Sequence, residues 1–483
     1  VHDVEPEKLS VVHTLPLFRL TTVQRTPDMG TLPVDYLHGD QNIKYWRKPI
    51  SANAKAQRWS EFRLFPLILD REGAPWQPAC MWLLERAQAN PHTISSLRPI
   101  AQDLAAYKNF LDDFKIEWDD FSEVIKYLRP TYLYHTHLQG QVTKGSLKRS
   151  TAARRMSTVI GFYNFLDRNK HMRFSPANPT WIEKKISIAY NDSIGRRQVT
   201  NVRTTDISIK SKTYEDASSG TINDGAKLRP LTVNEQKELV NALKKLGNTE
   251  YSLMHYIALL TGAREMTVLT LRLGEVLRPT DQVRQWPHKI LCGPGTRINT
   301  KGDIGKVYLS MPRELYEQLH AYAVSERARR RRAKTQQGED PMNYLFLTQH
   351  GQPYYESRED LNAIRDSSTP LRRSALSGRP LRKFIQVAVT PLIQESIPGF
   401  TYRFHDLRAT FGMNWVDYQM QQAGNNGIDS RYDWILSQLS KLMWHRSTLT
   451  TEKYLKYREQ QKQLEQAKIG WSEYLSKLIN TEK

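Results

Sequence analysis

The sequence predicts a mainly α protein with a small β component, arranged as a helical domain followed by a mixed α/β domain. Three observations carry this expectation. The chain has 483 residues, enough for two or three domains with separate cores. Long segments repeat apolar residues at three- and four-residue steps, the period of an amphipathic helix. Segments with strand chemistry are few and short.

Residues 1–73 read as an N-terminal extension of unassigned role. Leu15–Leu20 and Phe62–Leu67 have the look of short strands around a turn region containing Pro and Asp, packed on the domain that follows. Residues 74–191 turn helical. With Pro99 in the opening turn, Ile100, Leu104, Tyr107, Leu111 and Phe114 form one stripe. Met156, Val159, Phe162, Tyr163 and Leu166 form another between Ser150 and Leu166. Lys144, Lys148, Arg149, Arg154 and Arg155 flank or oppose that second stripe. One face would pack and the other would meet phosphate, or else remain a solvated basic face.

Residues 192–227 shift to Ser, Thr, Asn, Asp and Gly and read as a linker, with room for a strand from Gln198 to Val202. Residues 228–483 then form a second domain that ends in a helix. Thr232 and Glu235 have capping-box spacing, and the apolar run Tyr256–Leu260 ends at Thr261-Gly262, with Arg264 opening the next helix. His288–Leu291 and Arg297–Leu309 suggest strands, with Gly302-Asp303-Ile304-Gly305 turning between Lys301 and Lys306. The run Arg327, Arg329, Arg330, Arg331, Arg332 and Lys334 is either a solvated helix face or a phosphate contact. A helix is expected from Pro380 to Thr390, capped by Ser377 and ended near Pro391. Leu464, Ile469, Trp471, Leu475, Leu478 and Ile479 mark an apolar face on the terminal helix.

The charge is +20, spread along the chain, which points to a polyanionic partner, most simply double-stranded DNA. No long apolar run, lipidation signal or signal peptide supports a membrane. With Cys80 and Cys292 alone, neither a disulfide framework nor a Cys-rich zinc site is available. A reducing cytoplasm, with nucleoid association, is the expected compartment.

Thr401 to Arg458 holds the chemistry. In His405-Asp406-Leu407-Arg408 a His and an Arg three apart share one helix face and can converge on one small anion. His445 precedes Thr450-Thr451 and Tyr454, a composition suited to phosphoryl chemistry. Together with Thr261-Gly262-Ala263-Arg264, these residues resemble the tyrosine recombinase (phage integrase) family. Its pattern is placed in order at Arg264, Lys301, His405, Arg408, His445 and Tyr454. Ser150–Ser157, Phe162–Leu166 and Asn178-Pro179 look like that family's core-binding domain. The fold class implied is a helical core-binding domain plus a mixed α/β tyrosine-recombinase catalytic domain.

The resemblance implies a site-specific DNA recombinase or integrase working through a 3′-phosphotyrosyl intermediate, without cofactor or catalytic metal, as a synaptic tetramer of identical chains on specific recombination sites. Tyr454 would attack, Arg264 and Arg408 would hold the non-bridging oxygens, and His405 would accept or relay the phenolic proton. His445 would donate to a phosphate oxygen and Lys301 would protonate the leaving 5′ oxygen. Lys306 is the rival on the hairpin and Tyr457 the rival nucleophile. A type IB topoisomerase, a telomere resolvase and an inactive DNA-binding relative are the alternatives. Some integrases also carry an N-terminal domain for accessory DNA sites, and the terminal helix would dock on its own domain or on a neighbouring protomer. Three departures stand out: Thr267 where the family commonly has an acidic residue, Met443-Trp444-His445 for Leu-Gly-His, and a longer gap between Arg408 and His445, with the insertion expected at Gln421–Asp429.

Overall fold

Helices dominate the architecture, and each sheet among the described residues has two strands, as the mainly α expectation requires. The computed structural model describes residues 9–20, 60–89, 94–191, 197–210, 220–302, 304–362, 374–423 and 428–480. The chain divides into two units, Val1–Glu215 with Arg365–Ala375, and Asp216–Ile364 with Leu376–Lys483.

In the first unit, β1 (Val11–Leu20) and β2 (Ser60–Leu69) pair antiparallel with Val11 opposite Leu69. Both expected strand segments lie in this ribbon, and the turn region between them lies outside the described residues. Phe62, Phe65 and Ile68 of β2 enter the core formed by helices α1 (Gln77–Ala89), α2 (Ile94–Asp113), α3 (Pro130–Thr143) and α4 (Arg149–Arg168). The Ser10 amide ties the ribbon to α2 by donating to Asn109 Oδ1 at 2.7 Å.

Both apolar stripes are buried along most of their length. In α2, Leu104, Tyr107 and Leu111 are fully covered, whereas Phe114 falls just past the helix end and is 61 % exposed. The helix begins early enough to put Pro99 in its second turn rather than its opening one. In α4, Met156, Val159, Phe162, Tyr163 and Leu166 are buried, and the Tyr163 and Tyr107 hydroxyls meet at 2.8 Å. An antiparallel hairpin, β3 (Glu183–Asn191) and β4 (Arg197–Thr205), follows; β4 lies within the stretch whose composition reads as linker.

The second unit opens with a two-residue ladder, β5 (Ile222–Asn223) and β6 (Lys227–Leu228). Helix α5 (Val233–Leu246) has the expected capping box, both halves formed between Thr232 and Glu235. Helix α6 (Thr249–Thr261) stops at Gly262, whose φ of 68° is the left-handed cap that Gly adopts freely. The short α7 (Glu265–Leu269) follows directly. Strands β7 (His288–Cys292) and β8 (Val307–Met311) pair with His288 opposite Met311. The strand expected from Arg297 is shorter than its pattern, because residues ahead of β8 form a loop pinned by one bridge between Gly293 and Ile298.

Helices α8 (Arg313–Val324), α9 (Glu326–Arg332) and α10 (Arg358–Asn362) come next. The basic run on α9 serves the fold: Arg327 and Arg331 pair with the buried Glu250, Arg332 with Glu339, and Arg330 with Glu326. Arg327, Arg329 and Arg330 nevertheless remain exposed to solvent. Helix α11 (Arg379–Phe384) is capped by Gly378, not Ser377, and continues through a wider π turn at Ile385–Val389 into α12 (Thr390–Gln394). Pro391 therefore does not end the helix; the wider turn just before it makes room for a ring that cannot donate a backbone bond.

The unit closes with α13 (Asp406–Ala423), α14 (Ile428–Leu442) and α15 (Thr448–Asn480). The expected insertion falls at the facing ends of α13 and α14, and residues 424–427 lie outside the described residues. Thr451, Tyr454 and Leu455 near the start of α15 are buried, whereas Leu449 and, further along, Ile469, Trp471 and Leu475 are exposed. Among the described residues no helix is long and apolar enough to cross a membrane.

Candidate active site

Four side chains of the second unit meet at one carboxylate, that of Asp224 in the turn between β5 and β6. Arg408, in the first turn of α13, is 1 % exposed and uses all three of its nitrogens: Nε donates to Asp224 Oδ2 at 2.9 Å, Nη1 to the Gly262 carbonyl at 2.6 Å, and Nη2 to the Met443 carbonyl. Both carbonyls stand at helix C-terminal ends, where the dipole favours a cation. Asp406 fixes the start of α13 by accepting from the Arg229 and Arg403 amides.

Arg264 is the N-cap residue of α7 and approaches Asp224 Oδ1 at 3.8 Å. Although only 8 % exposed, it keeps Nε and Nη1 without hydrogen-bond partners. Burial, with the nearby Arg408 charge, lowers its pKa to about 10. Glu265 pairs with Arg382 instead, and Thr267, where the family commonly has an acidic residue, donates to the Asn299 carbonyl.

His445 follows α14 and Tyr454 lies on α15. His445 Nε2 lies 3.1 Å from Asp224 Oδ2, and its Nδ1 lies 2.9 Å from the Thr451 hydroxyl. Burial holds His445 below its usual pKa despite the Asp224 bond, and because a carboxylate only accepts, Nε2 is the donor to Asp224. The Tyr454 hydroxyl donates to the same Oδ2 at 3.2 Å, and its ring stacks on His445 with centroids 5.9 Å apart. Burial, and then the Asp224 charge, raise the Tyr454 pKa well above the ordinary phenol value. Burial alone would raise the Asp224 carboxyl as well. The His445 bond and the Arg408 charge overcome that and hold it well below the usual carboxylate range.

Trp444 occupies a left-handed backbone position, φ 54°, for which Gly is the ordinary choice. The strain, about 1–2 kcal/mol, is offset by burying the indole in the main core and by its Nε1 donating to the Tyr308 carbonyl at 3.0 Å.

Lys301 and His405 complete the surroundings. A side chain at Gly225 would run into the Lys301 ammonium, so Lys301 stands beside the Asp224 turn, while Lys306 lies near Gly295. His405 lies close enough to Arg408, Asp224, Arg264 and Lys301 to feel their charges; burial first and then Arg408 lower its pKa to about 4. In this state the Tyr454 hydroxyl bonds Asp224 rather than His405, and the Tyr457 hydroxyl points elsewhere, to the Gly220 carbonyl at 3.3 Å.

Sequence reasoning missed Asp224 and the bond Thr451 makes to His445. Asn223-Asp224-Gly225 carries a turn signature, which explains why it read as linker. Among the described residues, no group of three His, Cys, Asp or Glu side chains is placed to hold a metal ion.

The basic residues of the first unit divide. Lys144, just after α3, and Lys148 and Arg149, opening α4, are exposed. Arg154 and Arg155 instead turn toward the buried Asp103, at 2.9 and 3.9 Å.

Two histidines make acid stability a direct check on this packing. His255, fully buried between the Tyr251 carbonyl and the Tyr402 hydroxyl, also has a pKa lowered to about 4 by burial. Unfolded His protonates near 6.5, so the stability these residues contribute is complete above that pH and is lost as pH falls towards about 4. Between pH 7 and 5 the loss is expected to be about 2 kcal/mol for each. Urea midpoints that stay level over that interval would contradict it.

The arrangement as a whole sets two guanidiniums, a lysine, two imidazoles and a buried phenol about one carboxylate, groups able to bind an anion and to exchange a proton. No family model and no curated protein matches the chain. Among solved structures it is similar to the Tn1549 transposon integrase in complex with circular intermediate DNA, at 13 % identity over 79 % of this chain and 97 % of that one, with a TM-score of 0.41. The same integrase in complex with transposon right end DNA gives 14 %, 66 % and 79 %, with 0.35. XerA recombinase gives 13 %, 79 % and 95 %, with 0.30.

Proposed function

We propose that the protein is a site-specific DNA recombinase or integrase of the tyrosine-recombinase type, cleaving and rejoining strands through a 3′-phosphotyrosyl bond. The observation that carries the reading is the gathering of Arg264, Arg408, His445 and Tyr454 on one carboxylate, with Lys301 and His405 beside it. A buried site with this much positive charge and a phenol suits a phosphodiester. The +20 charge and the exposed Lys144, Lys148 and Arg149 suit the duplex around it.

In the reaction, the Tyr454 oxygen bonds to phosphorus as the bond to the 5′ oxygen breaks. Arg264, with donors to spare, and Arg408 hold the non-bridging oxygens as charge builds. His405, kept neutral by burial and then by the Arg408 charge, takes the phenolic proton on its ring, and an arriving phosphate anion raises its basicity. Lys301 supplies the proton to the departing oxygen. The ester energy stays in the phosphotyrosine, so rejoining is the same step reversed. Chains would assemble as a synaptic tetramer, with the exposed Ile469 and Leu475 of α15 available to a neighbouring protomer.

A duplex nicked beside the cleavage point tests this, because loss of the short fragment traps the covalent complex. The native chain and Tyr457→Phe should trap DNA, and Tyr454→Phe should trap none. No trapping by the native chain on any nicked duplex taken from the DNA that flanks its gene sinks the reading, and relaxation of supercoiled plasmid lacking those sequences moves it to a topoisomerase.

A further inference from the structure

We propose that Asp224 is an internal stand-in for the scissile phosphate, a resting-state plug that must leave before DNA can react. This inference rests on the function proposed above and adds a regulatory step to it. An attacking phenol needs its phosphorus about 3–3.5 Å away. The atom 3.2 Å from the Tyr454 hydroxyl is Asp224 Oδ2, which also takes the Arg408 Nε and His445 Nε2 protons. A carboxylate that merely braced the arginines would stand behind them and leave the nucleophile free. Asp224 stands between the arginines and the tyrosine, where phosphate oxygens belong, and its negative charge opposes a second anion there. The two unpartnered nitrogens of Arg264 show that a carboxylate fills the site only in part; a phosphate has more oxygens to offer.

The turn that carries the plug is built to be removable. Its ladder has two residues on each strand, and Gly220 and Gly225, both at positive φ, bracket the inserted side chain. Ile222 and Leu228 are its two buried anchors, sharing a small cluster with Tyr454 and Leu455 of α15. Two further ties come from α15, Lys453 Nζ to the Asn223 carbonyl at 3.4 Å and Tyr457 to the Gly220 carbonyl. The helix that bears the nucleophile therefore also holds the plug in place.

Inorganic phosphate is the probe, titrated into the full chain by calorimetry without DNA. Asp224→Asn should bind it at least about tenfold more tightly than the native chain; equal or weaker binding overturns the plug and makes Asp224 a brace. Because that variant leaves buried guanidiniums short of counter-charge and can fail to fold, the native chain supplies a second measurement. Amide hydrogen exchange across 222–228 should speed up at least about tenfold when nicked duplex binds, and unchanged or slower exchange again overturns the proposal. The two readings separate cleanly. Tighter phosphate binding with no covalent DNA from any variant leaves the plug standing and removes the recombinase; covalent trapping with unaltered phosphate binding does the reverse.

Discussion

Arg408→Lys is expected to slow single-turnover cleavage of a nicked duplex by roughly 10²–10³-fold. The charge survives the change, but the fork does not. Arg408 reaches Asp224, the Gly262 carbonyl and the Met443 carbonyl with three different nitrogens, and an ammonium on a flexible stem cannot meet all three. Leaving the two carbonyls short of a donor should also lower stability by on the order of 2–3 kcal/mol, read from the urea midpoint. A Lys variant that cleaves at the native rate would show that planar two-point binding plays no part.

Gly412→Ala is expected to reverse the usual effect of such a change. Within a helix the substitution ordinarily gains about 1 kcal/mol. On α13, however, a Cβ at 412 would lie 2.5 Å from Tyr454 Cε1, 2.9 Å from its Cδ1 and 3.0 Å from Met443 Sδ. The ring must move, at an overpacking cost of roughly 1–3 kcal/mol. A shift of about 1 Å at the hydroxyl should cost on the order of 10²-fold in cleavage. An Ala variant with a higher melting temperature and full trapping activity would mean that the tyrosine ring is not held against this helix in the working state.

Much of this arrangement was legible where local chemistry is enough. The Thr232–Glu235 capping box and the Thr261-Gly262 stop each follow from helix geometry within a few residues, whereas His405, expected to share a helix face with Arg408, sits in the turn just ahead of α13. What stayed hidden depends on distant parts of the chain. Asp224 lies 184 residues from Arg408 and 230 from Tyr454, and a turn-forming Asp gives no local sign of where its carboxylate will point. Arg154 and Arg155 read as a free basic face because Asp103, which they face, belongs to another helix. The arginines of α9 read as surplus charge for the same reason, with Glu250 lying 77 residues before Arg327. Trp444 at positive φ runs against residue preference outright, and only the Tyr308 carbonyl and the core around the indole account for it.

Tyr454 is the seventh residue of a helix that runs unbroken for 33. At about 1.5 Å per residue, the rod extends roughly 39 Å past the phenol. A stiff rod gripped near one end works as a lever: whatever seizes the far tip applies torque at the gripped end. Capture of the tip and alignment of the ring thus become one mechanical event, so a chain with its tip unheld and a chain with its tip clasped would differ in readiness without any change to the side chains around the phenol.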